Sequence, residues 1–186
     1  MIRIDTEKES IFSVTFYVRI DMGRIAVFLD RNGVLNQTEV INGKSYATRK
    51  LEDFIIEDEA SRATQLLSQA GFLLVVLTNQ PDVGNGLVAW NIVESMNQQL
   101  QKNLPIDSIK VCYHSQSEGC TCRKPKPGIL TEAADQFQID LHKSYMIGDR
   151  WSDIVAGKAA GCLTILIYRG YQEPITEQPD IQVSSL

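Results

Sequence analysis

The chain has 186 residues, 44% hydrophobic and 22% charged, which excludes intrinsic disorder, a collagen-like repeat and a disulfide-dense scaffold as descriptions of the whole. Lys and Arg total 18 against 23 Asp and Glu, a net charge of -5; a nucleic-acid binder relying on bulk charge is disfavoured, because that affinity comes mostly from phosphates neutralised by Lys and Arg. The longest apolar run, Phe72 to Leu77, falls far short of the ~20 residues a membrane span needs.

In chain order, residues 1–21 read as an N-terminal extension. They carry acids as well as bases, Ser13 and Thr15 interrupt the apolar stretch Ile11 to Val18, and no small-residue cleavage site follows, so no secretory signal is expected. The extension is expected to be a peripheral strand or a disordered segment, with a natural start at Met22 as the alternative reading, because Met22-Gly23-Arg24 leads directly into the strand-like run Ile25 to Leu29, which ends at Asp30. Gln37 to Phe54, holding Tyr46, Arg49 and Lys50, is too short for a cap domain and is expected to form a flap. Glu57 to Ala70 places Ala60, Ala63, Leu67 and Ala70 at helical spacing, with Gly71 as the stop. Phe72 to Leu77 predicts a second strand, ending at Thr78. Leu87 to Leu104 predicts a helix with Val93, Met96, Leu100 and Leu104 on one face, and Ile109 to Tyr113 a third strand. Pro127 to Phe137 predicts a helix with Pro127 in its first turn and Leu130, Ala133, Ala134 and Phe137 inward. Tyr145 to Ile147 is a short strand running into Gly148-Asp149, Ser152 to Ala160 a helix closed by Gly161, and Cys162 to Ile167 a last strand. The tail from Tyr171 reads as loop plus a weak edge strand.

Strands that are apolar throughout and alternate with helices predict a parallel sheet covered on both faces. The expected class is therefore α/β, a three-layer α/β/α sandwich forming one domain over residues 22–186 with no large cap domain. Ligands of such sheets bind beyond the carboxyl ends of the strands, where Asp30, Thr78, His114 and Asp149 stand.

Of the four cysteines, Cys112, Cys120 and Cys122 crowd together with His114, while Cys162 stands apart. Crowding with a histidine points to a metal site in a reducing compartment rather than a secreted disulfide framework, and the cytoplasm is the default. Three thiolates and an imidazole close a tetrahedral Zn²⁺ shell with no open position, so the loop at 112–122 is expected to be structural. No recognition helix or basic stripe surrounds it, which argues against a nucleic-acid finger. Cys162 reads as a buried hydrophobe, His142 as surface loop and Trp151 as packing. A monomer is the default expectation.

Four segments carry the chemistry: Asp30-Arg31-Asn32-Gly33-Val34-Leu35-Asn36, Thr78-Asn79-Gln80, Arg123-Lys124-Pro125 and Gly148-Asp149-Arg150-Trp151-Ser152-Asp153. In this order and at strand ends they resemble the haloacid dehalogenase superfamily of phosphohydrolases, a Rossmannoid fold. That family's motifs are an aspartate nucleophile with a second acid two residues on, a Thr/Ser, a Lys, and Gly-Asp-x-x-x-Asp. Phe28-Leu29-Asp30-Arg31, Thr78-Asn79-Gln80 and the Cys-x-His…Cys-x-Cys-Arg-Lys-Pro segment are further similar to two groups within it, the D-glycero-D-manno-heptose 1,7-bisphosphate phosphatases and the histidinol-phosphate phosphatases. Lys126 to Leu130 and Gly148 to Asp153 lean to the heptose group, and the short His114-to-Cys120 loop to the histidinol group; the first weighs more. The resemblance also strengthens the zinc reading.

The resemblance implies Asp30 as the nucleophile of an aspartyl-phosphate mechanism. It implies Mg²⁺ held by Asp30, Asp149 and the main-chain carbonyl of Asn32, with Asp153 supporting Asp149 or the loop. Thr78 and Asn79 would donate to the phosphoryl group, Lys124 offset the negative charge, and Arg123 reach the substrate, a small phosphorylated sugar. Arg49 would touch a second phosphate or remain a solvated charge. The departure is Asn32, where the family has an acid that exchanges protons with the leaving oxygen and the hydrolytic water. An amide donates a hydrogen bond but exchanges no proton at useful pH, so lowered activity is expected. Three readings stand: an engineered substitution that slows turnover so that a substrate can be trapped, a natural enzyme whose leaving group needs little protonation, such as an anomeric phosphate, or a phosphosugar-binding pseudoenzyme.

Overall fold

In chain order the elements are β1 (Ala26–Leu29), a hairpin of β2 (Glu39–Ile41) and β3 (Lys44–Tyr46), α1 (Asp58–Gln69), β4 (Leu73–Asn79), the single-turn α2 (Pro81–Gly84), α3 (Trp90–Asn103) and β5 (Ser108–Cys112). α4 (Gly128–Phe137), β6 (Tyr145–Gly148), α5 (Trp151–Ala160), β7 (Leu163–Ile167) and β8 (Ile181–Val183) follow. These come from a computed structural model that describes residues 23–174 and 176–186; the expected extension over 1–21 and the start at Met22 lie outside the described residues.

β1 is buried at every position because it lies inside the sheet. The six strands run in the order β5-β4-β1-β6-β7-β8, and every pairing is parallel, with Ala26 opposite Leu73 on one side of β1 and Val27 opposite Tyr145 on the other. Alternate residues of one strand feed different cores. Ala26 and Phe28 pack with Leu130 and Ala133 of α4 and Ala156 of α5, whereas Val27 and Leu29 pack with Ala60 of α1 and Met96 and Leu100 of α3. The result is the expected three-layer α/β/α sandwich. The chain leaves β1 toward β4 and β5, then returns to β6 and runs outward to β8, so the strand order reverses between β1 and β6. That crevice is where a doubly wound sheet places its ligand. Among the described residues no helix is long and apolar enough to cross a membrane.

Several boundaries differ from the apolar pattern. β4 continues through Thr78 and Asn79, which pair with Val111 and Cys112; the ladder needs backbone groups, not apolar side chains. The α3 helix begins at Trp90 rather than Leu87, because Ala89 is extended. The stretch expected to form a flap holds the β2–β3 hairpin, joined at Asn42-Gly43, and a single 3-10 turn at Leu51–Asp53, and no cap domain is evident among the described residues. The tail supplies β8, parallel to β7 with Ile165 opposite Ile181.

Candidate active site

Asp30 is the first residue past β1, and its amide donates to the Ile147 carbonyl of the neighbouring strand (2.9 Å). The chain then turns tightly, with the Leu35 and Asn36 amides returning to the Arg31 carbonyl at 2.9 and 3.1 Å. Gly33 makes this turn possible: its φ is +83°, and a Cβ there would collide with the Asp149 carboxylate. The turn thereby brings the ends of β1 and β6 together.

Lys124 is buried at the centre of the site, 3% exposed. Its ammonium donates to Asp30 Oδ1 (2.6 Å), Asp153 Oδ1 (2.8 Å) and the Leu77 carbonyl (2.7 Å), which uses all the protons an ammonium has. Burial works against its charge, but Asp153 and Asp30 raise its pKa above the ordinary lysine value. Asn79 brackets the same residue from the main chain, Nδ2 donating to the Lys124 carbonyl (3.0 Å) and Oδ1 accepting from its amide (3.3 Å). Asp153 thus acts here on Lys124 and on the Arg150 amide (3.1 Å) at the start of α5, a partnership that sequence spacing did not reveal. Gly148 leaves room for it, since a Cβ there would overlap the Asp153 side chain.

Asp149 is 4% exposed. Its Oδ2 accepts from the Tyr171 hydroxyl (2.9 Å), and its Oδ1 is buried without a partner. Burial first, then the charges of Asp30 and Asp153, raise its pKa well above the carboxylate range. Burial raises Asp30 as well, with Lys124 opposing. Oxygens of the three carboxylates lie within 4.8 Å of one another. Three buried carboxylates against one ammonium, with one oxygen orphaned, fit a hard divalent cation bound through oxygen. A sign follows for the pH dependence. Between the ordinary carboxylate range and the raised Asp149 value the folded state holds the extra proton, so stability without the ion falls as pH rises through that window. A divalent ion would bind the deprotonated form. Thermal-shift measurements from mildly acidic to neutral pH should therefore show Mg²⁺ stabilising the protein more as pH rises; a pH-independent shift would count against this ion site.

Asn32 Nδ2 stands 3.5 Å from Thr78 Oγ1. Thr78 is fully buried and also accepts from Gln80 Nε2 (2.9 Å), so its own proton remains available to a ligand. Arg31, whose place beside the nucleophile carries no motif role of its own, is completely buried. Its guanidinium donates to Asn97 Oδ1 (2.9 Å) and Asn32 Oδ1 (3.4 Å) and stacks 5.5 Å from the Phe54 ring centroid. Burial lowers its pKa to about 10.

Asp30, Asn32, Asn79, Lys124 and Asp153 open on a cavity of about 490 Å³ whose walls also include Tyr46, Arg49, Arg123 and Trp151; Thr78 and Asp149 are not among its walls, and Asp149 lines a separate hollow of about 30 Å³ with Tyr171. A larger hollow of about 710 Å³ on the flap holds none of the three carboxylates. Trp151, read as packing, lines the cavity. Arg123 Nη1 is buried without a partner, whereas Arg49 is paired with Asp82 (2.7 Å) and Arg150 with Glu173. Neither of those acids stood out in the sequence.

Beside the site, Cys112, His114, Cys120 and Cys122 converge. Sγ and Nδ1 atoms are 3.3 Å apart for Cys122 and His114, 3.4 Å for Cys112 and Cys122, and 3.6 Å for Cys112 and Cys120. A tetrahedron with Zn–S bonds of about 2.3 Å has S···S edges of roughly 3.8 Å, so the donors fit zinc. Burial pushes the Cys112 thiol up to about 12, and a bound cation would hold it as thiolate. Lys126 stitches the loop by donating to the Gly119 and Cys120 carbonyls at 2.8 and 2.9 Å. Cys162 is buried and free, and His142 is exposed.

A family model described as HAD-hydrolase-like matches residues 121–186. The D-glycero-beta-D-manno-heptose-1,7-bisphosphate 7-phosphatase of Vibrio cholerae is 37% identical over 170 residues, covering 84% of this chain and 87% of that protein. The chain belongs to the haloacid dehalogenase superfamily of phosphatases. The like-named Helicobacter pylori protein is 36% identical over 138 residues, covering 71% of this chain and 76% of its own length. The crystal structure of the D,D-heptose 1,7-bisphosphate phosphatase from B. bronchiseptica, complexed with magnesium and phosphate, has a TM-score of 0.69 at 28% identity, covering 76% of this chain and 79% of that one. As a haloacid dehalogenase-type phosphatase, the chain falls in the class of phosphoric monoester hydrolases.

Proposed function

We propose that the chain is a Mg²⁺-dependent phosphatase of small phosphorylated sugars, D-glycero-D-manno-heptose 1,7-bisphosphate first among them, working through an aspartyl-phosphate on Asp30 with turnover lowered by Asn32. The observation that carries this is the triad of Asp30, Lys124 and Asp149: one oxygen of Asp30 held at 2.6 Å by a buried ammonium, beside a buried carboxylate with a free oxygen. The names of the relatives support the substrate.

Each residue has a task set by its partners. Lys124 pins Asp30 and offsets charge as an Asp30 oxygen bonds to phosphorus and the sugar oxygen leaves. Thr78 donates its remaining proton, and Arg123 its unpartnered N–H, to phosphoryl oxygens. A divalent ion held by Asp30, Asp149 and the residue-32 carbonyl would neutralise phosphate charge. Asn32 donates a hydrogen bond at most, so the leaving oxygen must take its proton from water. Water then attacks phosphorus and frees Asp30. The reduced thiols of a zinc loop suit the cytoplasm.

Zinc, in this reading, holds the loop that delivers Arg123 and Lys124, since Lys124 is two residues past the last ligand. Stripping zinc should weaken phosphate-ester binding while far-UV circular dichroism still reports a folded sheet. Unchanged affinity in a zinc-free, folded sample would refute that role. The reading as a whole is tested by phosphate release from a panel holding the heptose bisphosphate, histidinol phosphate and simple sugar phosphates, with and without Mg²⁺. Mg²⁺-dependent release, fastest from the heptose bisphosphate, is expected. Preference for histidinol phosphate would move the substrate. Tight sugar-phosphate binding with no release would favour the non-hydrolysing reading that Asn32 keeps open.

A further inference from the structure

After β7 the chain crosses the rim of the site and touches four of its parts in five residues. Arg169 Nε donates to the Gly33 carbonyl of the nucleophile turn (3.1 Å). The Tyr171 hydroxyl donates to Asp149 Oδ2 (2.9 Å). The Gln172 amide donates to the Gly43 carbonyl at the tip of the flap hairpin (2.8 Å). Arg150 Nε donates to Glu173 Oε2 (3.1 Å). The segment is therefore a strap that ties the flap to the carboxylate cluster.

Tyr171 is its most consequential member. A phenol has one proton, and here it goes to Asp149. The oxygen then accepts from Thr38 Oγ1, 3.4 Å away at the entry to the flap. One oxygen atom thus joins an Asp149 carboxylate whose other oxygen is unpartnered to the segment that supplies Lys44, Tyr46 and Arg49 to the cavity wall. The Gln172–Gly43 bond is between main-chain groups, so it tethers the flap whatever the side chain at 171.

We propose that Tyr171 is a positioning residue with two linked effects: it fixes the Asp149 carboxylate so that Oδ1 is presented to the divalent ion, and it relays occupancy of that site to the flap through Thr38. Partners that orient a metal ligand from outside typically contribute about 10–100-fold to metal affinity. The inference rests on the divalent-ion reading above. Mg²⁺ alone is the probe, so no turnover is needed.

Tyr171→Phe keeps the ring and removes the oxygen. By isothermal titration calorimetry it should bind Mg²⁺ about 10–100-fold more weakly than the wild type, with zinc content unchanged and a cooperative ion-free melt lowered only by the few degrees that the loss of one partner of a buried carboxylate costs. Those two controls separate lost positioning from lost folding. Hydrogen exchange of the amides at 39–46 should slow when Mg²⁺ saturates the wild type, and should not respond in saturated Tyr171→Phe. Thr38→Val combined with Ser45→Ala, the two flap hydroxyls at the Tyr171 oxygen, removes the flap side of the relay alone; it should keep wild-type Mg²⁺ affinity and lose the exchange response. Equal affinity in wild type and Tyr171→Phe, or a flap that still responds in saturated Tyr171→Phe, overturns the proposal and leaves the phosphatase reading standing. A wild-type protein that binds no Mg²⁺ overturns both.

Discussion

Asn32→Asp should raise the rate of phosphate release by about 10²–10⁴-fold, the usual contribution of a positioned general acid and base, which corresponds to roughly 3–5 kcal/mol of barrier. The side chain is already placed for the task. It lines the cavity beside Asp30, and Arg31 donates to its Oδ1 from 3.4 Å, a contact that a carboxylate oxygen of the same shape inherits and strengthens. The gain should fall on kcat, because the metal ligand expected from residue 32 is its main-chain carbonyl, which the substitution does not alter. Steady-state phosphate release at saturating Mg²⁺ gives both constants. If both proteins are inert yet bind sugar phosphates tightly, the chain is a binding protein. Conversion of Asn32 to Asp on ageing is disfavoured by the fold: the Gly33 nitrogen, which would have to attack the Asn32 amide, is held by a hydrogen bond to the Asn36 carbonyl (2.8 Å) in a buried turn.

Lys124→Met should cost the ion-free protein about 3–5 kcal/mol, as removing one member of a buried ion pair does, and should abolish turnover. For a chain of this length that corresponds to a fall of roughly 6–20 °C in melting temperature. The cause is the company Lys124 keeps: Asp30 at 2.6 Å and Asp153 at 2.8 Å, with side chains 9% and 2% exposed. Without the ammonium, three neighbouring carboxylates have no buried counter-charge. Excess Mg²⁺ should return part of the loss by serving Asp30 and Asp149. The deficit should also shrink at acidic pH, where the carboxyls take up protons. Arg49→Met is the contrast. Its pair with Asp82 has a comparable separation, 2.7 Å, but the Arg49 side chain is 53% exposed, and such pairs are worth about 0–1 kcal/mol. Thermal melts of the two variants should differ accordingly; equal shifts would mean that Lys124 is not the charge keeping this cluster together.

Local pattern was enough for the scaffold. The runs at 25–29, 72–77, 109–113, 145–147 and 162–167 are apolar because both faces of the sheet are covered, and that requirement is written residue by residue. The stops at Asp30 and Asp149 were legible for the same reason, since a carboxylate directly after a buried strand stands at the sheet edge. The Cys112, His114, Cys120 and Cys122 cluster was legible because its four side chains come from eleven consecutive residues. What lay beyond reach was pairing between distant segments. Asp153 and Lys124, Arg49 and Asp82, Arg150 and Glu173, and Tyr171 and Asp149 meet only because the strand order gathers the ends of β1, β4, β5 and β6 at one sheet edge and the tail returns over the rim. A polar side chain in a loop has the same local sequence whether water or a carboxylate faces it. Which of these it meets is settled by the packing of helices and strands far from it along the chain.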